Sequence, residues 1–283
     1  MARMSWKEAC KLDPTLQGLT HFFSFPPEYA QTLTGGLTNR CWKVVCSQGK
    51  AYVWRPTTLI TKAFSISRYQ EYQILKAIQS SQLSPAAMLV NEWGLLVEWI
   101  EGDSLTDKPS FDGLLRMQAR IHELAINHIP VVPFSFTARV DHYWMQIKPE
   151  LKTEQVRALY EDWRNPPNLA EVAQCLCHFD LAGYNMVKTE SGYKVIDWEY
   201  AGIADPRLDL ALSINVAGEK ILDAVFRYCQ LREIEDVDKW VSGVKAWLPR
   251  TNMMALLWYL LAYQLWGDEE YYRQACHLQE TFC

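Results

Sequence analysis

The run His178-Phe179-Asp180-Leu181-Ala182-Gly183-Tyr184-Asn185, followed by Val195-Ile196-Asp197-Trp198-Glu199-Tyr200-Ala201-Gly202, decides how this chain is read. It lies in a short β-rich island, residues 173–198. There Cys175-Leu176-Cys177-His178, Asn185-Met186-Val187 and Tyr193-Lys194-Val195-Ile196-Asp197 have strand character, with Gly192 at a turn. Two acids and an amide thus fall at strand ends and loops, where side chains can converge on one point. A hard cation such as Mg²⁺ takes oxygen ligands, commonly one or two carboxylates plus phosphate and water. Asn185 and Asp197 can supply such oxygens, and Asp180 is left to accept the proton of an attacking hydroxyl. Taken singly, each is also compatible with an Asp or Asn that caps a turn.

Outward from this island the texture changes once. From about Ala30 to Glu101 the chain reads mostly as strands with one helix. Cys41–Cys46 and Ala51–Arg55 form an expected hairpin about Ser47-Gln48-Gly49-Lys50, and Pro56 closes the second strand. Tyr69, Tyr72, Ile74, Leu75 and Ile78 recur at helical spacing within Ser67–Ile78. Met88–Val90 and Leu95–Ile100 make a second hairpin. Helical patterns then dominate, over 111–126, 153–163, 219–230, 237–247 and 253–275. The expected class is α+β: a small β-rich lobe with one helix, residues 1–100, and a larger, mainly helical lobe, residues 101–283. A ligand cleft is expected between them.

Apolar residues make up 49% and charged residues 22%, which places the chain among soluble globular proteins. A formal charge of −5 with no basic stripe argues against nucleic acid as a partner. The N-terminus carries charge at Arg3, Lys7 and Glu8 and lacks the apolar core of a signal peptide. The longest apolar run, Met253–Tyr263, is well short of the roughly 20 residues that span a bilayer, so no membrane partner is expected. The eight cysteines are scattered and read as reduced thiols of a cytoplasmic enzyme. Cys175 and Cys177 are close, but no neighbouring His or second Cys pair completes a zinc pattern along the sequence.

The ordered set H-x-D, four residues, N, and a later strand ending in Asp matches the catalytic loops of phosphoryl transferases, which adds His178 to Asp180 and Asn185 as catalytic candidates. The N-terminal region offers matching parts. Thr34-Gly35-Gly36-Leu37-Thr38-Asn39 lets backbone N–H groups approach phosphate oxygens, although most Gly-Gly pairs are simple turns. Arg55 ends a strand, where its guanidinium suits a phosphate or, equally, a solvated edge. Glu71, on the following helix, is placed to pair with Arg55 or to face solvent.

On these residues the chain resembles the protein-kinase-like small-molecule kinases, the choline/ethanolamine kinase and aminoglycoside phosphotransferase superfamily. The likeness runs from about Gln31 to the last long helix and includes Asp205-Pro206-Arg207-Leu208-Asp209-Leu210-Ala211. The resemblance implies ATP and Mg²⁺ as cofactors, Asp180 as catalytic base, and Asn185 and Asp197 as metal ligands. It implies that Gly35, Gly36, Asn39, Arg55 and Glu71 serve the nucleotide, and that Glu98, Trp99 and Ile100 form the hinge that meets adenine. Asp209 would brace the catalytic loop.

For the acceptor, the sequence points to a cationic alcohol. Tyr259, Tyr263 and Trp266 share a helix face, and Asp268, Glu269, Glu270 and Glu280 lie near them, a combination suited to an organic cation. A ring stripe that packs in the core is the alternative. Glu199 joins Asp180 as a substrate-side candidate. Thiamine is favoured on Trp247-Leu248-Pro249, Trp258-Tyr259 and Trp266-Gly267-Asp268, which resemble bacterial thiamine kinases. Choline, ethanolamine and an aminoglycoside stay open, as does a nucleotide-binding scaffold without activity. The oligomeric state is not legible.

Overall fold

A computed structural model describes residues 3–33, 41–47, 49–102 and 109–282. The turn with Gly35, Gly36 and Asn39 lies outside the described residues. Strands β1 (Arg3–Ser5), β2 (Tyr29–Thr32), β3 (Trp42–Val45), β4 (Ala51–Pro56), β5 (Ala87–Asn91) and β6 (Gly94–Glu98) build an antiparallel sheet in the order β1-β2-β3-β4-β6-β5. The centre of the sheet is legible in the chain: β3 and β4 are rich in Val, Trp and Tyr, pair Trp42 with Trp54, and turn over a glycine at φ +75°.

The one helix expected beside the sheet is α3 (Arg68–Ile78), but two short helices join it, α1 (Trp6–Leu12) and α2 (Leu59–Ala63). Ser5 caps α1 in a reciprocal box with Glu8, a pattern placed too near the N-terminus for its periodicity to stand out. Leu16, Leu19 and Ala30 then bury with Trp42, Val44 and Trp54 on one face of the sheet. On the other face, Ile74, Leu75 and Ile78 of α3 pack with Leu95 and Val97. Each such side chain contributes about 1.5–3 kcal/mol by leaving water.

The remainder is mainly helical: α4 (Phe111–His122), α5 (Phe136–Gln146), α6 (Glu154–Trp163), α7 (Pro206–Ala217), α8 (Ile221–Leu231), α9 (Val237–Trp266) and α10 (Glu269–Glu280). Between α6 and α7 run β7 (Cys175–Cys177), β8 (Met186–Thr189), β9 (Gly192–Val195) and β10 (Gly202–Ala204), as two small antiparallel pairs, β7–β10 and β8–β9. The core under α3 continues through Leu114, Met117 and Ile121 of α4 to Leu176, Val195 and Trp198, so the sheet is packed directly onto the island.

The helices expected over 237–247 and 253–275 divide elsewhere. Helix α9 runs unbroken past Pro249, which has no N–H for the Lys245 carbonyl. The helix persists because Trp247, Met253, Leu256 and Leu257 on both sides are buried, and Arg250 Nη1 donates to the Ala246 carbonyl at 2.8 Å. The break comes at Gly267, left-handed at φ +69°, whose N–H donates to the Tyr263 carbonyl, and Asp268 then caps α10.

Gly94 opens β6 opposite Pro56, and a β-carbon there would stand 2.5 Å from the Arg55 carbonyl oxygen and 2.7 Å from Trp54. Because the nearest obstacle is backbone, it cannot swing aside. Gly94→Ala is expected to lower unfolding free energy by about 1–3 kcal/mol, read from denaturant titration. An unchanged midpoint would show that β4 and β6 separate freely here.

Candidate active site

Strand β7 delivers the chain into the loop at residues 178–182, a 3₁₀ turn at Gly183–Asn185 leads into β8, and β9 returns it to Asp197. Three backbone devices hold this path. Phe179 and Asp197 both adopt left-handed conformations, at φ +65° each, which turn the chain sharply on either side of the site. The Ile196 N–H donates to the Asn185 carbonyl at 2.9 Å, tying the end of β9 to the end of the 178–185 loop. Trp198, buried, donates from its indole to the Val195 carbonyl at 2.8 Å and packs its edge against His178.

Asp180 lies at the centre. Tyr184 Oη donates to its Oδ1 at 2.5 Å and Asn185 Nδ2 to its Oδ2 at 2.9 Å. Burial pushes the Asp180 carboxyl up to about 7; the Tyr184 bond opposes this and the Asp197 charge adds to it. Asn185 spends its amide N–H groups on the Asp180 side chain and carbonyl, and its Oδ1 takes no bond among the described residues, which leaves that oxygen for a cation. Burial would raise the Asp197 carboxyl, but the charge and hydrogen bond of Arg55 hold it below the usual range and therefore ionised. Asp180, Asn185, Asp197 and Glu199 all line one cavity of about 470 Å³. Two oxygen donors of the types that suit Mg²⁺ thus stand beside a carboxylate able to receive a proton, which fits the cation expected here.

His178 does not face that cavity. It is wholly buried, with Nε2 donating to the Ile196 carbonyl at 3.1 Å and Nδ1 accepting from the Asp180 N–H at 3.3 Å, a neutral tautomer inferred from its partners. His178, expected among the catalytic residues, thus has both ring nitrogens engaged with backbone. Asp209 supplies the support beneath: its carboxylate accepts from the N–H groups of Phe179 (2.7 Å) and His178 (3.3 Å), from Gln118, and binds His122 at 2.9 Å.

Arg55 reaches the site from β4. Its Nε lies 2.9 Å from Glu71 in a bent ionic contact, its Nη2 meets Glu199 at 2.9 Å, and the same nitrogen bonds Asp197. Arg68, which the sequence did not single out, bridges Glu71 at 2.6 Å and Glu199 at 3.0 Å. Two guanidiniums and three carboxylates therefore form one buried cluster from β4, α3 and the Asp197 corner. Glu199, expected on the substrate side, touches the cavity but directs its carboxylate into this cluster. Arg55 Nη1 meets no carboxylate among the described residues, only the Cys41 sulfur at 4.0 Å.

Glu98, Trp99 and Ile100 lie outside the cavity lining. The N–H groups of Glu98 and Trp99 donate to Ala86 and Ala51, and Lys43 Nζ sits 3.7 Å over the Trp99 ring. Of the three rings assigned to the acceptor, only Tyr259 lines the cavity. Trp266 stacks on Phe64 in the helical core, and Tyr263 is drawn to Tyr272 and to Glu269 at the surface, because α10 folds back over the last turns of α9. The nearby acids serve that junction: Asp268 caps α10 and Glu270 pairs with Arg273. The rings that do enclose the space are Phe134, Tyr143, Phe179, Tyr184, Tyr200 and Trp258 with Tyr259. A further finding concerns Cys175 and Cys177. The fold brings His122 of α4 to them, all three with donor atoms within 4.8 Å, a proximity that sequence spacing conceals.

The family model that describes the phosphotransferase enzyme family matches residues 30–240. The chain belongs to that family, and it is a small-molecule phosphotransferase. It is 24% identical over 208 residues to the thiamine kinase of Shigella boydii serotype 4 (strain Sb227), covering 73% of each chain. In fold it is similar to the choline kinase LicA from Streptococcus pneumoniae (TM-score 0.68, 18% identity, 96% of this chain and 99% of that one). It is similar also to a Plasmodium vivax ethanolamine kinase (TM-score 0.71, 15% identity, 98% and 88%). Among the described residues no helix is long and apolar enough to cross a membrane.

Asp209→Ala removes a buried acceptor shared by two loop amides and His122. It is expected to lower unfolding free energy by about 3–5 kcal/mol, checked by urea unfolding. A loss under about 1 kcal/mol would mean that the loop holds its shape without this support.

Proposed function

We propose that the chain transfers the γ-phosphoryl group of ATP, with Mg²⁺, to the hydroxyl of a cationic metabolite, and that the acceptor is thiamine. One observation carries this reading: Asp180, Asn185 and Asp197 open onto a single cavity whose wall is otherwise aromatic. Asp180 receives the proton of the acceptor hydroxyl, aided by a carboxyl raised toward neutrality. Asn185 Oδ1 and Asp197 hold the metal, which when bound neutralises charge on the phosphate oxygens. Arg55 Nη1, the least engaged of its nitrogens, is the group offered to phosphate. The AMP complex of a choline kinase of the same fold supports a nucleotide in this cleft. In this proposal residues 1–100 serve the nucleotide, with the 98–100 segment as hinge, and residues 101–283 carry catalysis and acceptor.

The acceptor choice rests on the thiamine kinase relatives and on the ring-lined cavity beside carboxylates, a setting that attracts organic cations. Choline, ethanolamine and an aminoglycoside are the competing acceptors, separated by one coupled assay of ADP release. An inactive nucleotide-binding scaffold predicts no ADP from any of them, with Asp180, Asn185 and Asp197 intact.

Asp180→Asn is expected to lower turnover by about 10²-fold or more with nucleotide affinity kept, measured by ADP release and nucleotide titration. Turnover near that of the parent would remove Asp180 from the role of base. Asp197→Ala is expected to abolish the Mg²⁺ dependence of ATP binding in calorimetry; an affinity that still rises with Mg²⁺ would show that the ligand lies elsewhere.

A further inference from the structure

Helix α5, which is not among the helices expected from the sequence, carries a residue into the acceptor cavity that the proposed function does not use. Ser135 caps the helix by accepting from the Ala138 N–H, and the Phe134 N–H donates to the Ile203 carbonyl of β10, so the start of α5 is fixed against the island. Arg139 follows on its first turn and lines the cavity. Its guanidinium carbon lies 5.3 Å from the Phe134 ring centre, 5.6 Å from Tyr200 and 6.0 Å from Tyr143, and Nη1 donates to Tyr143 Oη at a long 3.4 Å.

Arg139 differs from the buried arginines in the company it lacks. Arg55, Arg68 and Arg207 all bind carboxylates. Arg139 has no carboxylate partner among the described residues, and its hydrogen bond to Tyr143 leaves most of its five N–H donors unspent. Charges of opposite sign act on different rings of the same cavity. The Asp180 carboxylate accepts from Tyr184 Oη, whereas the Arg139 guanidinium sits against Phe134, Tyr200 and Tyr143. A small quaternary ammonium alcohol finds its counter-charge beside Asp180 and gains nothing from Arg139, whose like charge repels it. A flat ring with nitrogen or oxygen lone pairs is served by the same place, since the guanidinium donates in a plane and the neighbouring rings offer faces for stacking.

We infer that Arg139 is the acceptor-selecting residue of this cavity, and that it binds a flat, hydrogen-bond-accepting group joined to the cationic alcohol. The inference rests on the reading of the site as a cationic-alcohol kinase and narrows it: the aminopyrimidine half of thiamine has the required ring acceptors, and choline has no counterpart.

The experiment uses the full chain, with Arg139→Met as the apolar replacement and Arg139→Lys as the charged one without the planar fork. Binding of 4-amino-5-hydroxymethyl-2-methylpyrimidine alone, followed by calorimetry, tests the residue without turnover. The parent is expected to bind this fragment, Arg139→Met to lose the binding tenfold or more, and Arg139→Lys to recover part of it. In turnover, the KM for thiamine is expected to rise tenfold to a hundredfold in Arg139→Met. The KM for ATP and the thermal midpoint should stay close to parent values, and the activity on an N-methyl hydroxyethylthiazolium without the pyrimidine should hold or rise. Absence of fragment binding by the parent, equal losses on thiamine and the thiazolium, or a raised KM for ATP would each overturn the inference. A parent that binds the fragment through Arg139 yet phosphorylates neither thiamine nor choline would instead overturn thiamine as the acceptor.

Discussion

The arrangement depends on an ionic cluster that few of its members could endure alone. Arg55 and Arg68 face Glu71, Asp197 and Glu199 in direct contact, with all but Asp197 buried. Removing a guanidinium from such a set leaves buried carboxylates uncompensated, at a cost of about 3–5 kcal/mol. The importance of the set is one of placement. A strand, a helix and the corner after β9 each contribute members, so the sheet cannot drift from the corner at Asp197 without separating charges. The carboxylates outnumber the guanidiniums, and the excess negative charge borders the cavity, where a metal ion or an organic cation meets it.

Beneath the loop, Asp209 performs the complementary task with hydrogen bonds. By accepting from consecutive amides at His178 and Phe179 it fixes the entry to the loop, while His178 fixes the exit by donating to the Ile196 carbonyl. Asp180 and Asp197 are thus carried on backbone secured from below. Groups so held need little rearrangement as a reaction proceeds, which is where much of enzymatic rate enhancement originates.

How much of this the sequence disclosed follows from the range of the interactions. The convergence of Asp180, Asn185 and Asp197 on one cavity was legible because oxygen-bearing residues at fixed spacing mark strand ends and loops locally. The sheet centre was legible through its Val and Trp strands. Arg68 was not, since a helix-borne arginine looks solvated until the fold brings Glu199 to it. Tyr263 and Trp266 were assigned to the acceptor by helical spacing, which names a face but not what covers it; α10 covers theirs. Helix α9 crossed Pro249 because burial on both flanks outweighed one missing hydrogen bond. His122 stands far from Cys175 in sequence, so their meeting is a property of topology alone. Arg139 escaped for the same reason: Phe136, Val140 and Tyr143 mark a helix by their spacing, but only the fold sets its first turn against the cavity.

Phe179 combines two demands that usually fall on different residues. Its left-handed backbone, a conformation that a bulky side chain adopts at a cost, is set by the amide bonds to Asp209, while its ring leans on Phe134 at 4.6 Å in the cavity wall. The contour of the recognition chamber and the aim of the neighbouring carboxylate are consequently inherited together. A lineage that drifted toward a smaller residue at 179 would relax the backbone and enlarge the chamber in one step. Acceptor breadth and catalytic precision are therefore expected to change in concert at this position.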